Sequence, residues 1–192
     1  MTQLILASSS PFRKEILNKL NLTYKAISPD VDETPLDTEI PIDYVARLSQ
    51  AKAKALQADH PTALIIGSDQ TAVINGEIIG KPGDYNNAFK QLSDASGQKI
   101  TFYTGLTLLN ASTGMLDTDV IPFHVHFRIL TPSMIEHYLK AEQPYNCAGS
   151  FKSEGLGIAL FEKLEGDDPN SLIGLPLIRL IRMLEEQGIN VI

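Results

Sequence analysis

The run Leu4-Ile5-Leu6-Ala7-Ser8-Ser9-Ser10-Pro11-Phe12-Arg13-Lys14-Glu15-Ile16-Leu17 leaves little freedom in how the chain begins to fold. Leu4 to Ala7 is a short apolar run of the kind that makes a buried strand. Proline holds φ near the helical value, so Pro11 predicts a first helical position and Ser10 its N-cap. Phe12, Ile16, Leu17 and Leu20 then recur with a helical period. The segment reads as strand, serine turn, helix. A helix N-terminus carries unpaired N–H groups and partial positive charge, and the hydroxyls of Ser8, Ser9 and Ser10 lie beside this one with Arg13. Those donors suit an anion.

Further along, Thr23 to Ile27 reads as a second strand, followed by a loop rich in acids at Asp30, Asp32 and Glu33. Pro41 opens a helix expected to reach Asp59, with Ile42, Val45, Ser49, Ala53 and Leu56 as its inner stripe. At ~100° per residue Lys52 falls inside that stripe and Lys54 on the far side. Ala63 to Ile66 is the most apolar strand, expected to end at Gly67-Ser68-Asp69-Gln70. Asp69 would then close a buried strand, where open α/β sheets usually hold ligands. Asn75-Gly76 predicts a two-residue hairpin. Gly80-Lys81 lacks the upstream glycine spacing of a P-loop. Asp84 caps a helix over residues 86–93, and residues 100–109 and 115–130 read as long strands. On the second of these Phe123, Val125, Phe127 and Ile129 share a face, and His124 and His126 the other. With no third ligand nearby, the histidines read as a polar strand face rather than a metal site. Thr131-Pro132 starts a helix to Ala141, Gly149 to Gly157 is a glycine-rich loop, and Pro169-Asn170-Ser171 introduces the last helix, ended by Gly188. A change of style near Gly97 predicts two lobes around a cleft. Without repeats or a linker, residues 1–192 read as a single domain.

The 192 residues suffice for a sizeable core, and a net charge of −7 argues against a nucleic acid polymer as partner. Cys147 is the only cysteine, so no disulfide can form within the chain, and it reads as a reduced packing thiol. No apolar run approaches the ~20 residues of a membrane span, so a cytoplasmic location is expected. Four candidate cations, Arg13, Lys52, Lys81 and Lys152, suit phosphates, whereas the acids Glu33 and Asp69 repel them. Mg²⁺ or Mn²⁺, which takes carboxylate and phosphate oxygens together, reconciles the two sets. The combination fits metal-assisted hydrolysis of a phosphoanhydride.

Ser8-Ser9-Ser10-Pro11-Phe12-Arg13, Val31-Asp32-Glu33-Thr34, Lys52-Ala53, Gly67-Ser68-Asp69-Gln70, Gly80-Lys81-Pro82 and Gly149-Ser150-Phe151-Lys152-Ser153-Glu154-Gly155 keep the order and spacing of the Maf family, which the chain resembles from Leu4 to about Glu186. The resemblance implies an α/β fold related to the inosine-triphosphate pyrophosphatases, with a twisted mixed sheet and flanking helices. It implies hydrolysis of a nucleoside triphosphate to monophosphate and diphosphate with a divalent cation (Mg²⁺, Mn²⁺ or Co²⁺), and a homodimer. Asp69 would accept the proton of the attacking water, Glu33 would help hold the metal with Asp69, and Arg13, Lys52 and Lys81 would neutralise phosphate charge. The serine turn would supply donors rather than a nucleophile. Phe12, Gln70 and Glu154 stand where most members carry arginine, threonine and glutamine, a combination similar to the branch acting on 7-methyl-GTP. A cationic methylated guanine gains from an aromatic face and from a carboxylate at its N1–H and N2–H edge. The alternatives are a family enzyme for UTP or dTTP, or a non-catalytic nucleotide-binding regulator of septation.

Overall fold

A computed structural model describes residues 3–192. Among these, the strands are β1 (Leu4–Ala7), β2 (Lys25–Ile27), β3 (Leu64–Ile74), β4 (Glu77–Ile79), β5 (Lys99–Asn110), β6 (Met115–Phe127) and β7 (Phe161–Glu165). The helices are α1 (Pro11–Asn18), α2 (Pro41–Lys54), α3 (Tyr85–Ala95), α4 (Pro132–Glu142), α5 (Pro169–Ile173) and α6 (Leu177–Glu186). The strands form one mixed sheet in the order β2-β1-β3-β5-β6-β7, with β4 also paired to β3. β1 runs parallel to both neighbours, and β4 and β7 pair antiparallel to β3 and β6. This is the α/β architecture with a mixed sheet that the sequence predicts.

The chain divides into two compact units. The first takes residues up to Gln70, then Thr104–Ile121 and Asp168–Ile192; the second takes Thr71–Tyr103 and Pro122–Asp167. The exchanges fall inside strands or beside them, not at the change of style near Gly97.

In the first unit β1 is buried on both faces, which explains why its sequence is a continuous apolar run rather than an alternation. Leu4 and Leu6 point into a core with Ile16 and Leu17 of α1 and with Leu177, Leu180 and Leu184 of α6. Ile5 and Ala7 point the other way, toward Ala53 of α2, Ile65 and Leu109. α2 reaches the sheet because two strand positions lack a side chain. A Cβ on Gly67 would stand 2.1 Å from the Ser49 carbonyl oxygen, and one on Gly105 would stand 2.2 Å from that of Val45. Beside this contact Ser49 shares a hydrogen bond with Thr107, and Thr107 with Thr118, at 2.8 and 2.9 Å.

In the second unit the buried face of β6 carries Phe123, Val125 and Phe127. Phe102, Phe127, Phe151 and Phe161 meet edge to face, with ring centroids 4.8–5.6 Å apart. The hairpin after β3 has positive φ at both Asn75 and Gly76, as its two-residue turn requires.

Several predicted boundaries move. β3 does not end at Gly67 but continues to Ile74, so Asp69 lies mid-strand; it stands two residues beyond the last β1 pair, Ala7 with Gly67. α2 stops at Lys54 rather than Asp59, and Ile42, near its start, is 43% exposed and lies off the inner stripe. β2 shortens to three residues, and α3 lengthens at both ends. β6 ends at Phe127, which leaves Ile129 83% exposed instead of on the buried face. The last helix is two: Gly174, at φ +112°, stops α5, and Leu175-Pro176 lead into α6. β7 has no counterpart in the sequence reading.

Candidate active site

α2 places Lys52 where its helical phase predicts. The residue is 7% exposed, whereas Lys54 is exposed. Its Nζ lies 2.6 Å from Asp69 Oδ1 and 2.7 Å from Glu33 Oε1, so one ammonium joins a strand carboxylate to a loop carboxylate. Asp69 is itself 7% exposed. Ser68 to Gln70 can lie there because each of these side chains is answered. Ser68 donates to the Gly174 carbonyl at 2.9 Å, and Gln70 Nε2 donates to the carbonyls of Ser171 and Leu172 and to Thr104 Oγ1 at 2.7–3.0 Å.

Glu33 sits in the irregular stretch between β2 and α2, and α2 holds that stretch. Tyr44 Oη donates to the Glu33 carbonyl at 2.9 Å. Arg47 forks onto Glu39, with Nε to Oε1 at 2.6 Å and Nη2 to Oε2 at 2.7 Å, and also donates to the Thr34 carbonyl. That fork holds the Glu39 carboxyl below its usual pKa. Tyr44 and Arg47 were missed in the sequence. Their only signal is the i, i+3 spacing on the helix that carries Lys52.

Arg13 leaves α1 toward Gly174, whose carbonyl accepts its Nε at 2.8 Å. Burial pushes the guanidinium pKa down, while the charges of Asp69 and Glu33 push it up. The serine turn is built from its own hydroxyls. Ser8 Oγ accepts from Ser10 N at 3.1 Å, and Ser10 Oγ caps α1 by accepting from Arg13 N. Ser8 is buried, Ser9 exposed, and Phe12 partly exposed.

The first unit therefore brings Arg13, Glu33, Lys52, Asp69 and Gln70 together with the serine turn. Lys81, Lys152 and Glu154 belong to the second unit. Lys81 is exposed beyond β4. Lys152 Nζ donates to the Glu142 carbonyl at 2.8 Å, and exposed Glu154 accepts from Ser153 Oγ at 3.3 Å. Asp32 accepts from Thr34 N, as a solvated loop acid does. His124 bonds Thr101 and His126 bonds Glu165, in keeping with a polar strand face.

Two carboxylates converging on one cation fit a hard divalent metal, which takes one or two carboxylates and completes its shell with water and phosphate. Among the described residues no group of three or more His, Cys, Asp or Glu forms a full cage.

The family model described as Maf-like protein matches residues 3–187. The chain belongs to that family. Its relatives include proteins named 7-methyl-GTP pyrophosphatase. That of Aliivibrio fischeri is 60% identical over 191 residues, spanning 100% of this chain and 99% of its own. That of Vibrio vulnificus is 55% identical over 190 residues, spanning 99% and 97%. That of Nitrosococcus oceani is 56% identical over 185 residues, spanning 96% and 93%.

Proposed function

We propose that this protein hydrolyses 7-methyl-GTP to 7-methyl-GMP and diphosphate. The observation that carries this reading is the pairing of Lys52 with both Asp69 and Glu33 beside Arg13. It is a charged group assembled on the sheet of a chain whose near relatives bear that name. Asp69 takes the proton of a water attacking the α-phosphate, and its burial and fixed strand position hold the accepting oxygen still. Arg13, Lys52 and Lys81 offset charge building on the phosphate oxygens, and Ser8, Ser9 and Ser10 supply further donors. Glu33 and Asp69 would hold the divalent cation, Mg²⁺, Mn²⁺ or Co²⁺, which polarises the phosphates when bound. By the resemblance above, Phe12 and Gln70 of the first unit, and separately Glu154 of the second, are assigned to base selection. A homodimer and a cytoplasmic location belong to the same reading. Among the described residues no helix is long and apolar enough to cross a membrane.

Diphosphate release measured across 7-methyl-GTP, GTP, UTP and dTTP with each of the three cations tests the proposal. Highest kcat/KM for the methylated nucleotide is the expected result. A preference for UTP or dTTP would move the enzyme to another branch of its family, and no release with any nucleotide would leave a binding protein. Asp69→Asn removes basicity at constant shape, and its expected loss is about 10²–10⁴ in rate. Near-normal turnover in that variant would shift the base elsewhere, with Glu33 next.

A further inference from the structure

Lys52 faces a conflict if the carboxylates it joins are metal ligands. Its ammonium already lies between Asp69 Oδ1 and Glu33 Oε1, at 2.6 and 2.7 Å. We propose that Lys52 is a built-in stand-in for the divalent cation, so that ammonium and metal ion compete for the same two carboxylates. This inference rests on the metal-assisted reading above and assigns Lys52 a second task besides offsetting phosphate charge.

But for Lys52, Asp69, 7% exposed, would be a buried carboxylate without an ammonium partner whenever the metal is absent. Leaving such a charge unpaired is strongly unfavourable, so a resident cation keeps the strand stable in the metal-free protein. Lys52 suits the task better than Arg13. A lysine ends in a compact charge on four rotatable carbons, whereas Arg13 has its Nε fixed on the Gly174 carbonyl. Glu33 lies in an irregular segment with its side chain 57% exposed, so one jaw of the pair is open to solvent while the other is rigid. Charge balance then gives the exchange a purpose. With Lys52 in place the three groups sum to −1. Once the carboxylates hold a divalent ion, that pair is neutral and Lys52 carries a released +1. Lys52, freed from Glu33 and Asp69, turns its charge to the phosphates. The same event that loads the metal arms the phosphate site.

The test is Mn²⁺ affinity without nucleotide, read from the paramagnetic resonance of free Mn²⁺ in wild type, Lys52→Met and Lys54→Met. Lys52→Met should bind Mn²⁺ about 5- to 150-fold more tightly, the range usual for coupled sites. Lys54→Met, which removes an exposed charge on the same helix, should match wild type. A second readout needs no variant. Acetic anhydride labelling of the wild-type protein, followed by peptide mass spectrometry, should show Lys52 acetylated faster when Mn²⁺ is added, with Lys54 as internal reference. Equal or weaker Mn²⁺ affinity in folded Lys52→Met, no measurable binding by either protein, or Lys52 labelling indifferent to Mn²⁺ each overturns the proposal. If Lys52→Met does not fold, the labelling result decides. Should these readouts fail while wild type still releases diphosphate from 7-methyl-GTP with Mn²⁺, only the stand-in role falls. Failure of that release as well removes the hydrolase reading.

Discussion

Lys52 and Lys54 are two residues apart on one helix, yet one is buried between two carboxylates and the other is solvated. Lys52→Ala should lose most turnover and also stability, by roughly 1–3 kcal/mol, because Asp69 keeps its burial and loses its ammonium. Lys54→Ala should leave kcat and the melting temperature unchanged; equal losses in the two variants would contradict the phase of α2. The proposed base choice rests on different residues. Stacking of a cationic ring on Phe12 is worth ~0.5–2 kcal/mol, and each charge-assisted bond to Glu154 ~1.5–3. Phe12→Arg and Glu154→Gln should therefore each lower the ratio of 7-methyl-GTP to GTP turnover while the fold survives. Ratios unchanged in both variants would remove these residues from the specificity account. Lys52 could be read from the chain because a lysine inside an apolar stripe violates its pattern. Tyr44 and Arg47 could not, since a tyrosine and an arginine on the flank of a helix violate nothing. Their role arises only from which loop folds beneath them.

The approach of α2 to the sheet depends on glycine rather than on any attractive side chain. Gly67→Ala places a methyl group against the Ser49 carbonyl, so helix and strand must part. Overpacking of this kind typically costs about 1–3 kcal/mol, and calorimetry should show a lower melting temperature. Gly80→Ala, with open space around its Cβ, should melt as wild type does. The loop carrying Glu33 has its own pH signature. Arg47 depresses the folded pKa of Glu39, so the clamp is fully present above the ordinary value of 4.5 and is lost as pH falls through the folded value. The melting temperatures of wild type and Glu39→Gln should differ at pH 7 and converge once pH falls below the depressed folded pKa of Glu39; a gap that persists in acid would deny the clamp its charge. Elements marked by an apolar run, an apolar period or a turn dipeptide were legible, as β1, α2 and the hairpin at Asn75-Gly76 respectively attest. β7 was not, because Phe161 and Leu164 are its apolar residues and do not alternate, and most of the strand faces solvent. The second half of β3 reads as a turn because Ser68 to Thr71 are polar; the partners of Ser68, Asp69 and Gln70 are supplied by residues more than thirty positions away or by Lys52.

At the scale of the molecule, each unit is assembled from separated stretches of sequence. Within the second unit, α3 and the segment Ala148–Ser150 pack together, and α4 packs on α3. A fragment of residues 122–167 keeps α4 but loses α3, leaving Ile135, Tyr138 and Leu139 without much of their cover. Far-ultraviolet circular dichroism should find it largely unfolded, and a helical, cooperatively melting fragment would refute this. The interleaving also limits what inheritance can do with the chain. The backbone passes between the units after Gln70, Tyr103, Ile121 and Asp167. A single recombination event between two related genes always splits at least one unit between two parents. Neither unit can be shuffled as a cassette onto another enzyme, as a domain held on one uninterrupted stretch can. Change in a chain so interleaved is thereby steered toward substitutions in place.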